Sequence, residues 1–394
     1  MYDMSGFDYG IEDVVHLLRL NKRRGNYYDC PFCGDTKGRL NINTAKNVYR
    51  CNRCDASGGM LKLYAELHNL TLREANMEIR EALGKGEYRE AVKMRKQATE
   101  KKEPEQSELA PIEVRNRTYS EMLQLLDLNS THREDLLKRG LTAGQIEERR
   151  YRSVPMFGIQ KLAEDLRKRG CVLEGVPGFY QQENGKWTLN FKARNSGYLI
   201  PIESMEGNIQ GFQIRLDHVE DGRKYIWLSS GGYQKGTSSG SPVHVIGDRN
   251  AESVYLTEGG LKGTISHYLS GNTYICTPGV NQYRNVKPVL EAFRERNLER
   301  LVEAYDMDKK IKTVCDQNYH KCGKCTLRPY PCECPYKAEK RKIIQRGCER
   351  IYELCRELSI PVSRMVWDMD TDGDWTGAIK GIDDYYFLQT KETL

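Results

Sequence analysis

The sequence predicts a multidomain protein of mixed class, α+β passing into α/β, with a zinc ribbon first and a parallel sheet last. Three observations carry that expectation. Two Cys-x2-Cys pairs stand close to the start. A charged stretch poor in large apolar residues follows. From residue 251 onward, strand-like and helical runs alternate. With 394 residues the chain can bury a sizeable core and divide into two or three units. The expected division is a ribbon over 1–83, a linker over 84–117, a helical and β region over 118–250, and an α/β region over 251–394. The last region carries a cysteine-rich insert at 309–340.

Each element has a local signal. IEDVVHLLRL (11–20) and MLKLYAELHNLTLREANMEIREAL (60–83) have apolar residues at helical spacing on either side of the cysteines. Residues 84–110 are nearly all polar, which predicts a solvated helix running into a flexible linker. Residues 119–170 read as helices broken at Arg139-Gly140 and Arg169-Gly170. YLIPIES, NIQGFQIRLD, KYIWLSS and PVHVIG read as strands separated by glycine-containing turns. VYLT, TYICT, LVEAY and PVSRMVW then read as strands, and LKGTISHYLS, VKPVLEAFRERN and residues 339–358 as the helices between them. Such alternation makes a parallel sheet with helices on its faces.

Composition narrows the class. The hydrophobic share is 39% and the mean hydropathy is −0.69. No apolar run approaches the roughly 18 residues of a spanning helix, and the opening MYDMSGFDYGIEDVV lacks an apolar signal core. A cytoplasmic protein without a membrane partner is expected. The 61 basic and 55 acidic residues leave a net charge of +6, which permits nucleic-acid binding without requiring it. Eleven of the 13 cysteines fall into three groups, and such clustering in a reducing compartment favours metal binding over disulfides.

Cys30 and Cys33, then Cys51 and Cys54, are two knuckles separated by 17 residues. Two knuckles close a tetrahedron of thiolates around Zn²⁺ with no open position, so the zinc is expected to be structural. Such a site contributes about 10–16 kcal/mol of apparent binding free energy, enough to fold a ribbon with little core. Lys46, Tyr49, Arg50 and Arg53 interleave basic and aromatic groups between the knuckles, suited to phosphates and to base stacking. An ordinary solvated surface is the alternative for each of them.

A second constellation is acidic. Glu258 follows the strand VYLT and precedes Gly259 and Gly260, while Asp306 and Asp308 follow the strand LVEAY. Ligands of parallel α/β sheets bind at the carboxyl ends of strands. If the two strands are neighbours, three carboxylates converge there. Two like charges about 4 Å apart repel by about 4 kcal/mol at an effective dielectric near 20, so the cluster calls for a proton or a cation. Oxygen ligands without His or Cys suit Mg²⁺ or Mn²⁺. Solvated loop acids are the alternative when E…DxD is taken alone.

CPFCG…YRCNRC resembles the CHC-type zinc-binding domain of bacterial and phage primases, with cysteine at all four positions. NIQGFQIRLDHVEDGRKYIWLSS resembles a stretch of the primase core. VYLTEGGLKGTISHYL, TYICTPGV and LVEAYDMD resemble successive Toprim motifs. With WDMDTDGDWTGAIKGIDDYYF, the second half is most similar to a Toprim-like primase family common on plasmids and conjugative elements. The resemblance covers residues 11–80 and 119–388. It implies that Glu258, Asp306 and Asp308 hold the catalytic metals and that Arg215, Lys224 and Lys235 meet template or nucleotide phosphates. Lys380, Asp383 and Asp384 fall on the family's terminal motif. Lys262 stands where DnaG-type primases carry an acid, and a lysine there could meet a phosphate, as Lys380 could.

Two further clusters are ambiguous. Cys315, Cys322, Cys325, Cys332 and Cys334 lie in the insert and suggest a second zinc or, as the alternative, an iron–sulfur cluster. Asp368, Asp370, Asp372 and Gly373 imitate a calcium loop, but Ile379 stands where the bidentate Glu is required.

The resemblance implies a DNA primase that makes short primers on single-stranded DNA from nucleoside triphosphates, in the replication of a mobile element. No G-x-x-x-x-G-K-[ST] motif is present, so any helicase is expected to be a separate partner. The alternatives are a Toprim-type metal-dependent nuclease and a non-catalytic single-stranded-DNA-binding replication factor.

Overall fold

A computed structural model describes residues 9–84, 104–191, 196–220, 223–325, 327 and 332–392. The chain divides into two compact units, 1–103 and 104–394. Residues 85–103, where the sequence predicts a solvated helix and a linker, lie outside the described residues.

The first unit opens with helix α1 (Ile11–Leu17), followed by strands β1 (Lys22–Arg24), β2 (Tyr27–Cys30), β3 (Asp35–Asn43), β4 (Val48–Cys51) and β5 (Ser57–Gly59). The strands pair in chain order, every neighbour antiparallel, as short turns between successive strands dictate. Helices α2 (Met60–His68) and α3 (Leu72–Gly84) follow. Thr71 and Glu74 cap α3 reciprocally: the Glu74 carboxylate accepts from the Thr71 N–H at 2.8 Å, and the Thr71 hydroxyl accepts from the Glu74 N–H at 3.3 Å. Ile11, Val14, Leu40, Ile42, Tyr49 and Leu63 are buried and form a core too small to hold such a unit without help.

The second unit begins at Pro104, earlier than the sequence predicts. Residues 104–110 run as a strap along the core: the Ser107 N–H donates to the Gly236 carbonyl at 3.0 Å and the Ala110 N–H to the Gly175 carbonyl at 2.8 Å. Helix α4 (Ile112–Gln124) then starts inside the stretch that polarity alone marks as linker. Helices α5 (Ser130–Lys138) and α6 (Ala143–Glu148), strand β6 (Arg152–Ser153) and helix α7 (Ile159–Lys168) follow. Helices α5 and α7 end at the two predicted Arg-Gly pairs, and two further breaks, over 125–129 and 149–158, separate the other helices. The hairpin β7 (Phe179–Gln181) and β8 (Trp187–Leu189) precedes β9 (Gly197–Glu203), β10 (Ile209–Glu220) and β11 (Arg223–Trp227). The last three join β6 in an antiparallel sheet ordered β11-β10-β9-β6.

A second sheet is mostly parallel. Its strands are β12 (His244–Ile246), β13 (Ser253–Glu258), β14 (Thr273–Thr277), β15 (Arg300–Glu303) and β16 (Val362–Arg364), ordered β12-β14-β13-β15-β16. Only the edge strand β12 runs antiparallel. Because β12 pairs with β14, this sheet starts before residue 251. Helices α8 (Gly260–Ser270), α9 (Val286–Arg294), α10 (Pro335–Glu357) and α11 (Ile382–Glu392) complete the unit. No described helix is long and apolar enough to cross a membrane.

Strand β9 ties the two sheets' cores together. All seven of its residues are buried. Leu199 belongs to the cluster under α4 and α7, whereas Tyr198, Ile200 and Ile202 pack with Leu261 and Ile265 of α8. Alternate side chains of one strand therefore serve two cores, the period-2 rule applied to a strand covered on both faces. Helix α8 lies unusually close to its sheet: a Cβ on Gly263 would collide with the Cys276 sulfur of β14.

Candidate zinc centre and candidate active site

The four cysteines of the ribbon come together as their spacing requires. Cys30 ends β2 and Cys51 ends β4, with Cys33 and Cys54 on the turns that follow. The Cys30–Cys54 sulfurs are 3.8 Å apart and the Cys33–Cys51 sulfurs 3.9 Å. A tetrahedron with Zn–S bonds of about 2.3 Å has edges of about 3.8 Å. The donor set and its dimensions thus fit Zn²⁺, with all four ligand positions taken by protein. Asp35, buried beside the knuckles, accepts from the Lys37 and Arg39 N–H groups at 3.1 and 3.2 Å. Arg53 donates to the Cys33 carbonyl at 3.2 Å and stiffens the same turn.

The acid cluster forms at the carboxyl edge of the parallel sheet. Strands β13 and β15 are neighbours, with Leu256 opposite Glu303, so Glu258 and Asp306 leave adjacent strands on the same edge. Asp306 and Asp308 are both buried, at the start of a 3₁₀ turn over Met307–Lys310. Three lysines face these acids. Lys262, in the first turn of α8, bonds the Asp306 carboxylate and stands 4.0 Å from Glu258. Lys380 reaches Asp306 at 3.3 Å and Asp308 at 2.8 Å. Lys340, from α10, reaches Asp308 at 2.8 Å.

The charges respond to one another. Burial, and then the Asp306 charge, push the Glu258 carboxyl up to about 7, against the pull of Lys262 and Lys380. Burial also pushes Asp306 up, but the two ammoniums outweigh it and hold that carboxyl below its ordinary value. Lys262 is pressed down by burial, yet Asp306, Glu258 and Asp383 together hold it well above the ordinary lysine range. It is an ammonium at any working pH.

Directly behind the cluster lies a saturated buried ion pair. The Glu303 carboxylate accepts from the Tyr305 N–H at 2.9 Å, the Lys309 ammonium at 2.8 Å, the Tyr352 hydroxyl at 2.6 Å and Arg364 at 3.0 Å. Lys309 also donates to the Met365 carbonyl at 2.8 Å and sits 5.5 Å over the Trp367 ring. These bonds pin the backbone on both sides of Asp306 and Asp308.

Residues 7–96 match the CHC2 zinc finger family. Over 205 residues the chain is 23% identical to the DNA primase of Thermotoga maritima, which covers 48% of this chain and 33% of that protein. The chain therefore spans about a third of the length of the curated relative it matches. Among solved structures it is similar to the zinc-binding and RNA polymerase domains of Aquifex aeolicus primase, at 16% identity and a TM-score of 0.48, covering 98% of this chain and 81% of that one. A DnaG primase catalytic domain bound to single-stranded DNA is similar at 13% identity and a TM-score of 0.45, covering 71% and 76%.

Within the CHC2 unit, the surface differs from the one the sequence suggests. Tyr49 is buried, stacked 5.5 Å from Phe32 and donating to Glu66 at 3.0 Å, so it is not a platform for bases. Tyr49 pairs with Ile42 across the ladder, and their face of the sheet is the core face. Arg50 is held by Asp55 at 2.7 Å, and Lys46 is exposed. The exposed basic strip is instead β1, Lys22 to Arg24, where Lys22 lies 5.8 Å over the Tyr28 ring and Arg24 5.9 Å over that of Tyr27. The run KRRGNYY carried this signal without a spacing rule to mark it.

The other candidates divide. Arg215, expected to meet template or nucleotide phosphates, bonds Asp135 at 3.1 Å and lies 5.7 Å over the Tyr225 ring. Lys224 is exposed on β11, and Lys235 pairs with Glu174 at 3.8 Å. Among the described residues, the four ribbon cysteines are the only group of three or more His, Cys, Asp or Glu whose donor atoms all lie within 4.8 Å of one another. The insert cysteines therefore do not gather, and Glu258, Asp306 and Asp308, with lysines against them, are spread wider than that. Cys334 is buried at the start of α10, Cys332 is exposed, and Cys322 and Cys325 share a separate 3₁₀ turn. The second-zinc expectation finds no preformed site in that arrangement. Asp368 and Asp370 act as loop closers: Asp368 accepts from the Ile379 N–H at 2.9 Å and Asp370 from the Asp374 N–H at 2.9 Å. The loop they close carries Lys380, whose carbonyl accepts from the Met307 N–H at 3.0 Å. Asp383 approaches Lys262, while Asp384 is exposed.

Proposed function

We propose that this chain is a DNA primase that joins nucleotides on a single-stranded DNA template. The zinc ribbon engages the template, and the acid cluster is the reaction centre. The observation that carries the reading is the placement of Glu258, Asp306 and Asp308 at the carboxyl edge of a parallel sheet, in a chain that also bears a CHC2 zinc finger. Similarity to a protein named DNA primase supports it.

The reaction forms one phosphodiester bond: the 3′-hydroxyl of one nucleotide attacks the α-phosphate of the next, and pyrophosphate leaves. No protein nucleophile is needed. The all-oxygen donor set of Glu258, Asp306 and Asp308 suits Mg²⁺ or Mn²⁺, which would supply polarisation of the phosphoryl oxygens. The lysines do the rest. The side chains of Lys380 and Lys340 are 49% and 30% exposed, so both can turn from Asp308 towards a triphosphate. Arg215, Lys224 and Lys235 would contact phosphates of the template or incoming nucleotide, which position without reading sequence. A separate helicase would supply the single strand, and the replicon served would be a mobile element.

The test is incubation of the full chain with single-stranded DNA, nucleoside triphosphates of either sugar, and Mg²⁺ or Mn²⁺. Oligonucleotide products are expected from the wild type and not from Glu258→Gln. No product under any of these conditions overturns the reading. Metal-dependent cleavage without nucleotides would mark a nuclease instead, and binding without turnover a non-catalytic factor.

A further inference from the structure

We propose that Lys262 is a built-in cation that takes the place of one divalent ion, so that the acid cluster holds a single Mg²⁺ or Mn²⁺. This rests on the reading of the cluster as a metal-dependent nucleotidyl-transfer site.

Position is the first argument. Lys262 lies four residues after Glu258, one helical turn into α8, so its ammonium is carried back over the strand end from which Glu258 and Asp306 emerge. It bonds Asp306 and stands 4.0 Å from Glu258, so its charge sits against both carboxylates where they meet. An ion bridging those carboxylates needs oxygens at about 2.0–2.1 Å, and an ammonium has no lone pair with which to ligate it. The two cations exclude one another.

Burial distinguishes Lys262 from the other lysines. Its side chain is 18% exposed, against 30% for Lys340 and 49% for Lys380. Lys340 and Lys380 face Asp308 and the second oxygen of Asp306 from the open side, where either can give way to an ion or a phosphate. Lys262 has a further anchor. A Cβ on Gly381 would lie 3.4 Å from the Lys262 Cε and would collide with the Asp383 carboxylate, which places Asp383 beside the lysine stem. One oxygen of Asp383 is buried and has no hydrogen-bond partner among the described residues, an acceptor that favours a fixed positive charge nearby.

Charge balance gives the number of ions. Glu258, Asp306, Asp308 and Asp383 face Lys262, Lys340 and Lys380. Without nucleotide, four ionised carboxylates and three ammoniums sum to a net charge of −1, which one divalent ion takes to +1 and a second would take to +3. A second ion would leave an excess of positive charge in a largely buried site.

The experiment is a Mn²⁺ titration of the full, zinc-loaded chain without DNA or nucleotide, followed by the loss of the free-ion electron paramagnetic resonance signal. The wild type is expected to take up one Mn²⁺, and Asp306→Asn to lose it. Lys262→Asp is expected to gain a second site or to bind at least about tenfold tighter, with Lys262→Gln changing in the same direction. Circular dichroism and zinc content check that the variants fold; should they not, the wild-type count decides. Two ions on the wild type, uptake that survives Asp306→Asn, or folded Lys262 variants that match the wild type overturn the proposal. Primer synthesis is scored separately. One-ion uptake with no primer leaves the replacement standing and sinks the primase reading, and two-ion uptake with primer does the reverse.

Discussion

Removing the Lys309 ammonium should destabilise the second unit sharply, because its partner carboxylate would stay buried. Lys309 and Glu303 both have inaccessible side chains and meet at 2.8 Å. Breaking such a pair from one side costs about 3–5 kcal/mol, since the remaining charge keeps its desolvation penalty. Here Arg364 still faces the other carboxylate oxygen at 3.0 Å, so Lys309→Met should fall near the lower end, about 3 kcal/mol. Glu303→Gln should cost more, about 4 kcal/mol or above, because it leaves two cations without their carboxylate. Urea denaturation followed by tryptophan fluorescence is the assay. All four tryptophans lie in the second unit, and Trp367 sits 5.5 Å beneath the Lys309 ammonium. A loss below about 1 kcal/mol for Lys309→Met, or a smaller loss for Glu303→Gln than for Lys309→Met, would refute the reasoning.

Chelation of zinc, or Cys51→Ser, should unfold the first unit while the tryptophan transition of the second keeps its midpoint, and metal analysis should return one zinc per wild-type chain. His244 gives a pH dependence. Burial, and then the Arg149 charge, hold its pKa down to about 3, and it accepts from the Glu203 N–H at 3.0 Å as a neutral ring. Its folded pKa lies below the unfolded value of about 6.5, so its contribution is present above that value and lost as pH falls towards 3. From pH 7 to 5 the wild type should lose about 2 kcal/mol more than His244→Gln, read from urea midpoints at each pH. Gly263→Leu should prevent α8 from seating on β14, abolishing both stability and activity, and a well-folded, active variant would contradict the close approach described.

What the sequence revealed follows the range of the interactions. The zinc ribbon was legible because two knuckles are local and their spacing admits few other readings. The parallel sheet was legible because each strand and helix carried its own periodicity. Convergence of Glu258 with Asp306 needed one non-local fact, that β13 and β15 are neighbours, and the sheet order supplied it. The lysines were harder. Lys262, Lys340 and Lys380 meet the acids from three elements separated by long stretches of chain, and nothing in KAEKRK distinguishes Lys340 from the solvated lysines around it. Polarity misled twice. Residues 104–110 look like linker because they bond through backbone rather than through apolar side chains, and Tyr49 looks available because strand alternation alone does not say which face is the core.

Primer synthesis by the full chain with Asp308→Asn as the comparison tests the central claim most directly. Asp308 is buried and is held by Lys340 and Lys380, whereas Lys262 pairs with Asp306 and Glu258, so its replacement probes the open side of the cluster. The wild type should extend labelled nucleotides into short products on single-stranded DNA in a divalent-metal-dependent reaction, and Asp308→Asn should lose about 10²-fold or more while keeping its zinc and its fold. Wild-type levels of product from Asp308→Asn would contradict the account.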